Sequence, residues 1–181
     1  MTSDGLISII YVSKASTITY RTFKKFQKFA QHKDLGPVSR LHKEYGFPAK
    51  DFSETYSRFV KAIVGVGSSS GNDSRFGLTT EFILLTNPYE NEKVNTLKIK
   101  LIYEGKPRSD AQVEIFERSD TGAVKITTTR TSKNGIAVIP IKRGYQYLFD
   151  AVKLRRVEPS LAQGAVWETL WAALMVKIPP Y

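Results

Sequence analysis

Between Leu97 and Leu154 apolar and polar residues alternate in five runs, each closed by Gly, Asn or Asp. In LKIKLIY, Leu97, Ile99, Leu101 and Tyr103 fall on one side, with Lys98 and Lys100 on the other. A period of two places alternate side chains on opposite faces of an extended chain, which suits a strand buried on one face only. AQVEIFER, VKITTTRT, IAVIPI and YQYLFDAVKL repeat the pattern. The breaks between them are Glu104-Gly105-Lys106-Pro107, Asp120-Thr121-Gly122, Lys133-Asn134-Gly135 and Lys142-Arg143-Gly144, all built from turn residues. Short alternating strands joined by tight turns predict an antiparallel β-sandwich. LTTEFILLTNPYE begins it upstream. In the tail Trp167, Leu170, Trp171 and Leu174 also have helical spacing, but a sandwich needs a closing strand, which is assigned to Thr169–Ile178 before Pro179-Pro180 stops pairing.

The N-terminal third changes period. GLISIIYVSKASTITY (residues 5–20) is β-branched and suits a strand or hairpin, whereas Phe23, Phe26, Phe29 and Ala30 recur at helical spacing among lysines. Thr22 is positioned to cap that helix, and Gly36-Pro37 ends it and opens a second, VSRLHKEYG. A further strand is expected from Tyr56 through the β-branched end of FSETYSRFVKAIVGVG. SSSGNDSRFG holds little to bury and reads as a linker. The fold is therefore expected to be mainly β with a small α+β N-terminal part. Residues 1–67 form a partial N-terminal β-domain with a helical insertion at about 22–46, 68–77 a linker and 78–181 the sandwich.

At 181 residues the chain is long enough for one substantial core. Its net charge of +10 is spread along the chain with no Lys/Arg run longer than two, so a solvated basic surface is expected and a nucleic-acid partner is not. No segment approaches the ~20 apolar residues of a membrane span, and Met1–Tyr20 lacks the basic lead-in and apolar length of a signal peptide. Cysteine is absent, which removes disulfides and thiolate metal ligands. His32 and His42 are ten residues apart with Gly36-Pro37 between them, a poor spacing for a shared ion. Both read as exposed helix residues. No cofactor or tight transition-metal site is expected.

Catalytic motifs are missing: there is no HExxH, GxSxG, GxGxxG or P-loop, and GVGSSSG lacks the Lys-Ser/Thr ending of a phosphate loop. The candidate binding residues are Glu54, Tyr56, Arg58, Lys61, Glu81, Trp167, Glu168 and Trp171. On a strand Glu54, Tyr56 and Arg58 share a face, where Arg58 is placed to clamp a carboxylate, either Glu54 or one from a ligand. The internal Glu54–Arg58 ion pair is the plainer expectation. Glu81, inside the apolar run EFILL, is expected on the wet face or paired with a nearby Lys or Arg. Trp167 and Trp171 flank Glu168 and read as core aromatics or, if exposed, as a stacking surface for a sugar or a partner.

Across ETYSRFVKAIVGVG, GLTTEFILLTNPY, LIYEGKPRSDAQVEIFER, TTTRTSKNGIAVIPIKRGYQYLFDAVKL and WETLWAALMVKI, the chain resembles a bacterial periplasmic family of unknown function. Members of that family are labelled as nickel- or cobalt-uptake associated. GKPRSDAQV and TRTSKNG are also similar to transthyretin-like and carboxypeptidase-regulatory-like sandwiches, which implies an immunoglobulin-like or transthyretin-like architecture. The resemblance implies an exported protein with a signal peptide, an N-terminal β-domain, a helical insertion and a C-terminal sandwich. Against that pattern residues 1–66 look like a remnant, of a truncated or a short form. The expected function is a non-catalytic periplasmic binding or accessory protein, whose partner is an envelope protein or small ligand. Unpaired strand faces point to a homodimer. Two other readings stay open: a module for anionic polymers or carbohydrates, and an enzyme using Glu54, Arg58 and Glu81.

Overall fold

The computed structural model of the protein describes residues 4–157 and 164–180. The parts of the expected domains on 1–3, 158–163 and 181 lie outside the described residues. In chain order the elements are β1 (Gly5–Val12), β2 (Ser16–Tyr20), α1 (Phe23–His32), α2 (Val38–Glu44), β3 (Phe52–Val66), β4 (Thr80–Leu84) and β5 (Thr96–Tyr103). They continue with β6 (Lys106–Pro107), β7 (Gln112–Arg118), β8 (Val124–Arg130), β9 (Ile136–Pro140), β10 (Gln146–Arg156) and β11 (Ala165–Lys177). The fold is mainly β, with two helices among the described residues, as the alternation predicts.

Every strand expected between 97 and 154 is present, and glycines with positive φ sit in the turns between them. Gly135 shows why glycine is required there. Its φ is +73°, and a Cβ would stand 2.7 Å from the Leu101 carbonyl oxygen. No L-residue fits so close to backbone in that conformation. The same carbonyl pattern locks the turn to β5: Gly135 O accepts from Leu101 N at 2.8 Å.

One sheet has the order β1-β3-β11-β10-β7-β8, with β2 also paired to β3; the other has β4-β5-β6, with β9 also paired to β5. The pairs β1–β3, β2–β3, β7–β10, β7–β8, β4–β5, β5–β6 and β5–β9 are antiparallel. Because side chains alternate, both sheets turn one apolar face to a shared core. Phe82, Leu97, Ile99, Leu101 and Ile139 come from the smaller sheet, and Ile63, Val113, Ile115, Phe149 and Leu174 from the larger. That is a sandwich. β1 lies at the sheet edge and exposes Ile7, Ile9 and Tyr11.

The chain divides into two compact units that do not follow the expected cut at 68–77. The larger comprises the described part of Met1–Val12, Phe59–Ala151 and Ala172–Tyr181. The smaller comprises Ser13–Arg58 and the described part of Val152–Trp171. Segment 68–77 lies within the larger unit and is anchored there, because the Asp73 side chain is fully buried and accepts from Lys61 Nζ at 3.0 Å and Leu84 N at 2.8 Å. Two strand starts also move upstream: β3 begins at Phe52 rather than Tyr56, and β11 at Ala165 rather than Thr169. The alternation there is masked by aromatic and polar residues that serve the smaller unit. Thr22 is the N-cap of α1 by backbone conformation, but its side chain makes no capping hydrogen bond.

Candidate functional site

In the smaller unit three strands present one continuous face. β2 pairs with β3 so that Tyr20 lies opposite Phe52, Ile18 opposite Glu54 and Ser16 opposite Tyr56. β11 lies on the other side of β3. Alternation makes Phe52, Glu54, Tyr56 and Arg58 one row, and Trp167, Thr169 and Trp171 another.

The helices cover the first end of these rows. Phe26 and Ala30, one turn apart on α1, are buried, as are Val38 and His42 on α2. They form a core with Phe52 and Trp167, bordered by Tyr20, Phe23, Phe29 and Phe47. His42 corrects the expectation of an exposed residue. Its Nδ1 accepts a hydrogen bond from Trp167 Nε1 at 2.9 Å, so its Nε2 carries the proton and donates to the Pro48 carbonyl at 3.0 Å. The side chain is 5% exposed. Burial of Trp167 requires a partner for its N–H, and His42 supplies it. Both ring nitrogens are thereby used, which leaves none for a metal. His32 is exposed, as expected. Among the described residues there is no group of three or more His, Cys, Asp or Glu that could hold a metal ion.

Beyond the helices the rows open into a pocket of about 260 Å³ lined by Ile18, Tyr20, Phe29, Glu54, Tyr56, Arg58 and Trp171. Glu54 is 2% exposed. Its Oε2 accepts from the Tyr20 hydroxyl at 2.9 Å, and its Oε1 accepts from the buried Thr169 hydroxyl. Thr169 Oγ1 in turn accepts from Trp171 Nε1 at 3.0 Å. The carboxyl is thus held by neutral donors. Burial pushes its pKa above the ordinary value, with the Thr169 and Tyr20 hydrogen bonds opposing the rise. Burial and the neighbouring Glu54 also raise the Tyr20 phenol.

Arg58 is exposed at the pocket mouth. Its guanidinium carbon lies 5.5 Å from the Tyr56 ring centroid and 6.0 Å from that of Trp171. The expected Glu54–Arg58 ion pair does not form. Along a strand, residues four apart are separated by roughly 13 Å between Cα atoms, and Glu54 is satisfied by hydroxyls closer to hand. Lys33 Nζ lies 4.8 Å from the Trp171 centroid, and Phe29 stacks on Trp171 at 5.9 Å.

The other sequence candidates separate. Trp167 is core. Glu168 lies on the opposite face of β11, where its Oε2 accepts from Arg155 Nε at 2.6 Å. Lys61 and Glu81 belong to the larger unit. There Lys61, 1% exposed, donates to both Asp73 oxygens and to the Ser74 carbonyl, and stands 3.9 Å from Glu81. Glu81 also accepts from the Phe76 and Gly77 backbone N–H groups and lies 3.6 Å from Arg75 Nε. An enzyme that combined Glu81 with Glu54 and Arg58 has no pocket containing all three among those described. Sequence reasoning missed Ile18, Tyr20, Phe29 and Thr169. The single local signal was helical spacing at Phe29. The others join the site through strand pairing.

No curated protein and no solved structure matched the chain. One family did, over a range that contains β2, α1 and the Glu54–Arg58 row but stops before Thr169 and Trp171. With its model matching residues 2–154, the chain belongs to the family of the domain of unknown function DUF4198.

Proposed function

We propose that the protein is a non-catalytic binding or accessory module of the bacterial cell envelope, and that the pocket of its smaller unit is the ligand site. The observation that carries this reading is a concave site uniting aromatic walls, a buried carboxyl and a guanidinium at its mouth that has no carboxylate partner among the described residues. A few polar groups set among apolar walls are what orient a small ligand. Placement in the envelope rests on the resemblance of the sequence to a periplasmic family.

The titratable groups around the pocket support binding over catalysis. Both Glu54 oxygens are tied to protein hydroxyls, and both His42 nitrogens are used within the core. His42 bonds a Trp N–H and a backbone carbonyl, and the Thr169 hydroxyl on Glu54 is fully buried and itself accepts from Trp171, so neither group faces a nucleophile that a substrate could reach there. One observation favours the enzyme alternative: a carboxyl with a raised pKa is the usual form of a general acid. Such an enzyme would use Glu54 without Glu81.

A fragment screen of the intact protein by ligand-observed NMR tests the proposal, with Tyr56→Ala as the control. The reading expects hits that bind wild type and lose at least tenfold in affinity in the variant. Hits that bind both proteins equally would place the site elsewhere, and turnover of any hit would replace the binding module with an enzyme.

A further inference from the structure

The chemistry of the pocket also specifies its ligand, given the reading above that the pocket is the binding site. Charge comes first. Arg58 and Lys33 stand 6.0 and 4.8 Å from the Trp171 ring, and Arg58 stands 5.5 Å from Tyr56. An aromatic cage for an ammonium ligand needs open ring faces. Here fixed cations already attend the rings, so a cationic ligand meets like charge at the mouth. An anion meets a guanidinium able to bind a carboxylate bidentately.

Walls come next. Ile18, Phe29, Tyr56 and Trp171 are apolar or aromatic surfaces, and a sugar would bring several hydroxyls to them. Each hydroxyl desolvated without a partner is penalised, and the polar side chains of the lining are Tyr20, Glu54, Tyr56 and Arg58 alone. A flat aromatic ring brings fewer groups to satisfy and suits the apolar and aromatic surfaces of Ile18, Tyr56 and Trp171. Size follows: about 260 Å³ lies just under the roughly 300–1,000 Å³ of drug-sized sites, so the space admits one or two rings. Finally, each Glu54 oxygen uses one lone pair on a protein hydroxyl and keeps a second acceptor site. A donor at the end of the ligand away from its carboxylate would fill it.

We infer that the pocket binds a small aromatic acid, its carboxylate on Arg58, its ring beside Tyr56 and Trp171, and a ring hydroxyl or N–H directed to Glu54.

Calorimetric titration of the full chain at pH 7 decides it, with five probes: 4-hydroxybenzoate, indole-3-acetate, phenol, tyramine and glucuronate. At least one of the two aromatic acids is expected to bind at least tenfold more tightly than phenol, tyramine or glucuronate. Arg58→Gln, an exposed substitution that should leave the melting temperature unchanged, is expected to weaken that acid at least tenfold and to leave phenol unaffected. Tyr56→Leu should weaken both. Tighter binding of tyramine, phenol or glucuronate overturns the ligand class while leaving the pocket as a binding site. An acid that binds Arg58→Gln as well as wild type overturns the assignment of its carboxylate. No heat from any of the five overturns this inference, and a fragment screen without hits sensitive to Tyr56→Ala would remove the pocket reading with it.

Discussion

Glu54 and Glu81 are both carboxylates buried on strands, and they are compensated in opposite ways. Glu81, in the larger unit, is 1% exposed and surrounded by Lys61, Arg75 and two backbone N–H groups. Asp73 shares Lys61 with it, so the cluster fastens segment 68–77 to β3 and β4. Glu54, in the smaller unit, meets only hydroxyls among the described residues, while the cation on its strand face, Arg58, is directed to aromatic rings. A buried charge surrounded by its complement is structural. One held by neutral donors beside an open pocket retains the capacity to interact with something else, and burial raises its pKa against the opposing Thr169 and Tyr20 hydrogen bonds.

The largest effect that would break this contrast is at Lys61. Lys61→Met leaves Asp73 and Glu81 buried without their shared cation, and removing one partner of such a cluster costs about 3–5 kcal/mol. Urea unfolding at pH 7 should register that loss, and a change below ~1 kcal/mol would mean that the cluster is no anchor. In the smaller unit Thr169→Val removes a hydroxyl that donates to Glu54 and accepts from Trp171. A loss of about 1–3 kcal/mol is expected by the same measurement, smaller than at Lys61 because no cation is removed.

Glu54→Gln sharpens the comparison through pH. With its folded pKa above the ordinary 4.5, Glu54 binds its proton more tightly in the folded protein. Its favourable contribution is fully present below 4.5 and is lost as pH rises through the folded value. The groups facing it are Tyr20 on β2 and Thr169 on β11, with Arg58 farther along β3. Replacing Glu54 by Gln should therefore raise stability at pH 7 relative to its effect at pH 4, as followed by thermal melts. The opposite slope would indicate a carboxylate stabilised by charge, as at a salt bridge. The smallest effect is expected for Arg58→Gln, within about 0.5 kcal/mol in stability, because the side chain is exposed and pairs with no carboxylate among the described residues.

What the sequence revealed follows the range of the forces involved. Period two located the five strands expected between Leu97 and Leu154, since alternation is imposed by each strand's own half-buried face, whereas β6 falls at Lys106–Pro107, which reads as a turn. It also placed Glu54, Tyr56 and Arg58 on one face. Their partners were not legible: Tyr20 and Thr169 lie 34 and 115 residues from Glu54 and arrive through strand pairing. Asp73 was hidden in a Ser/Gly/Asn segment whose composition suggested nothing to bury, yet it neutralises Lys61. A lysine inside the apolar run VKAIV was the available signal that a buried counter-ion had to exist. His42 was misjudged because its helix is short and mostly polar. Its spacing from Val38, one turn earlier on the buried face, was the clue.

The contrast between the two glutamates is tested most directly by a carbon-13 NMR titration of the Glu54 side-chain carboxyl in the folded protein. A midpoint clearly above the ordinary 4.5, moving little in Arg58→Gln, is the predicted result. A midpoint at or below 4.5 that rises when Arg58 is replaced would mean that the two residues form an ion pair after all, and would contradict the account of the pocket.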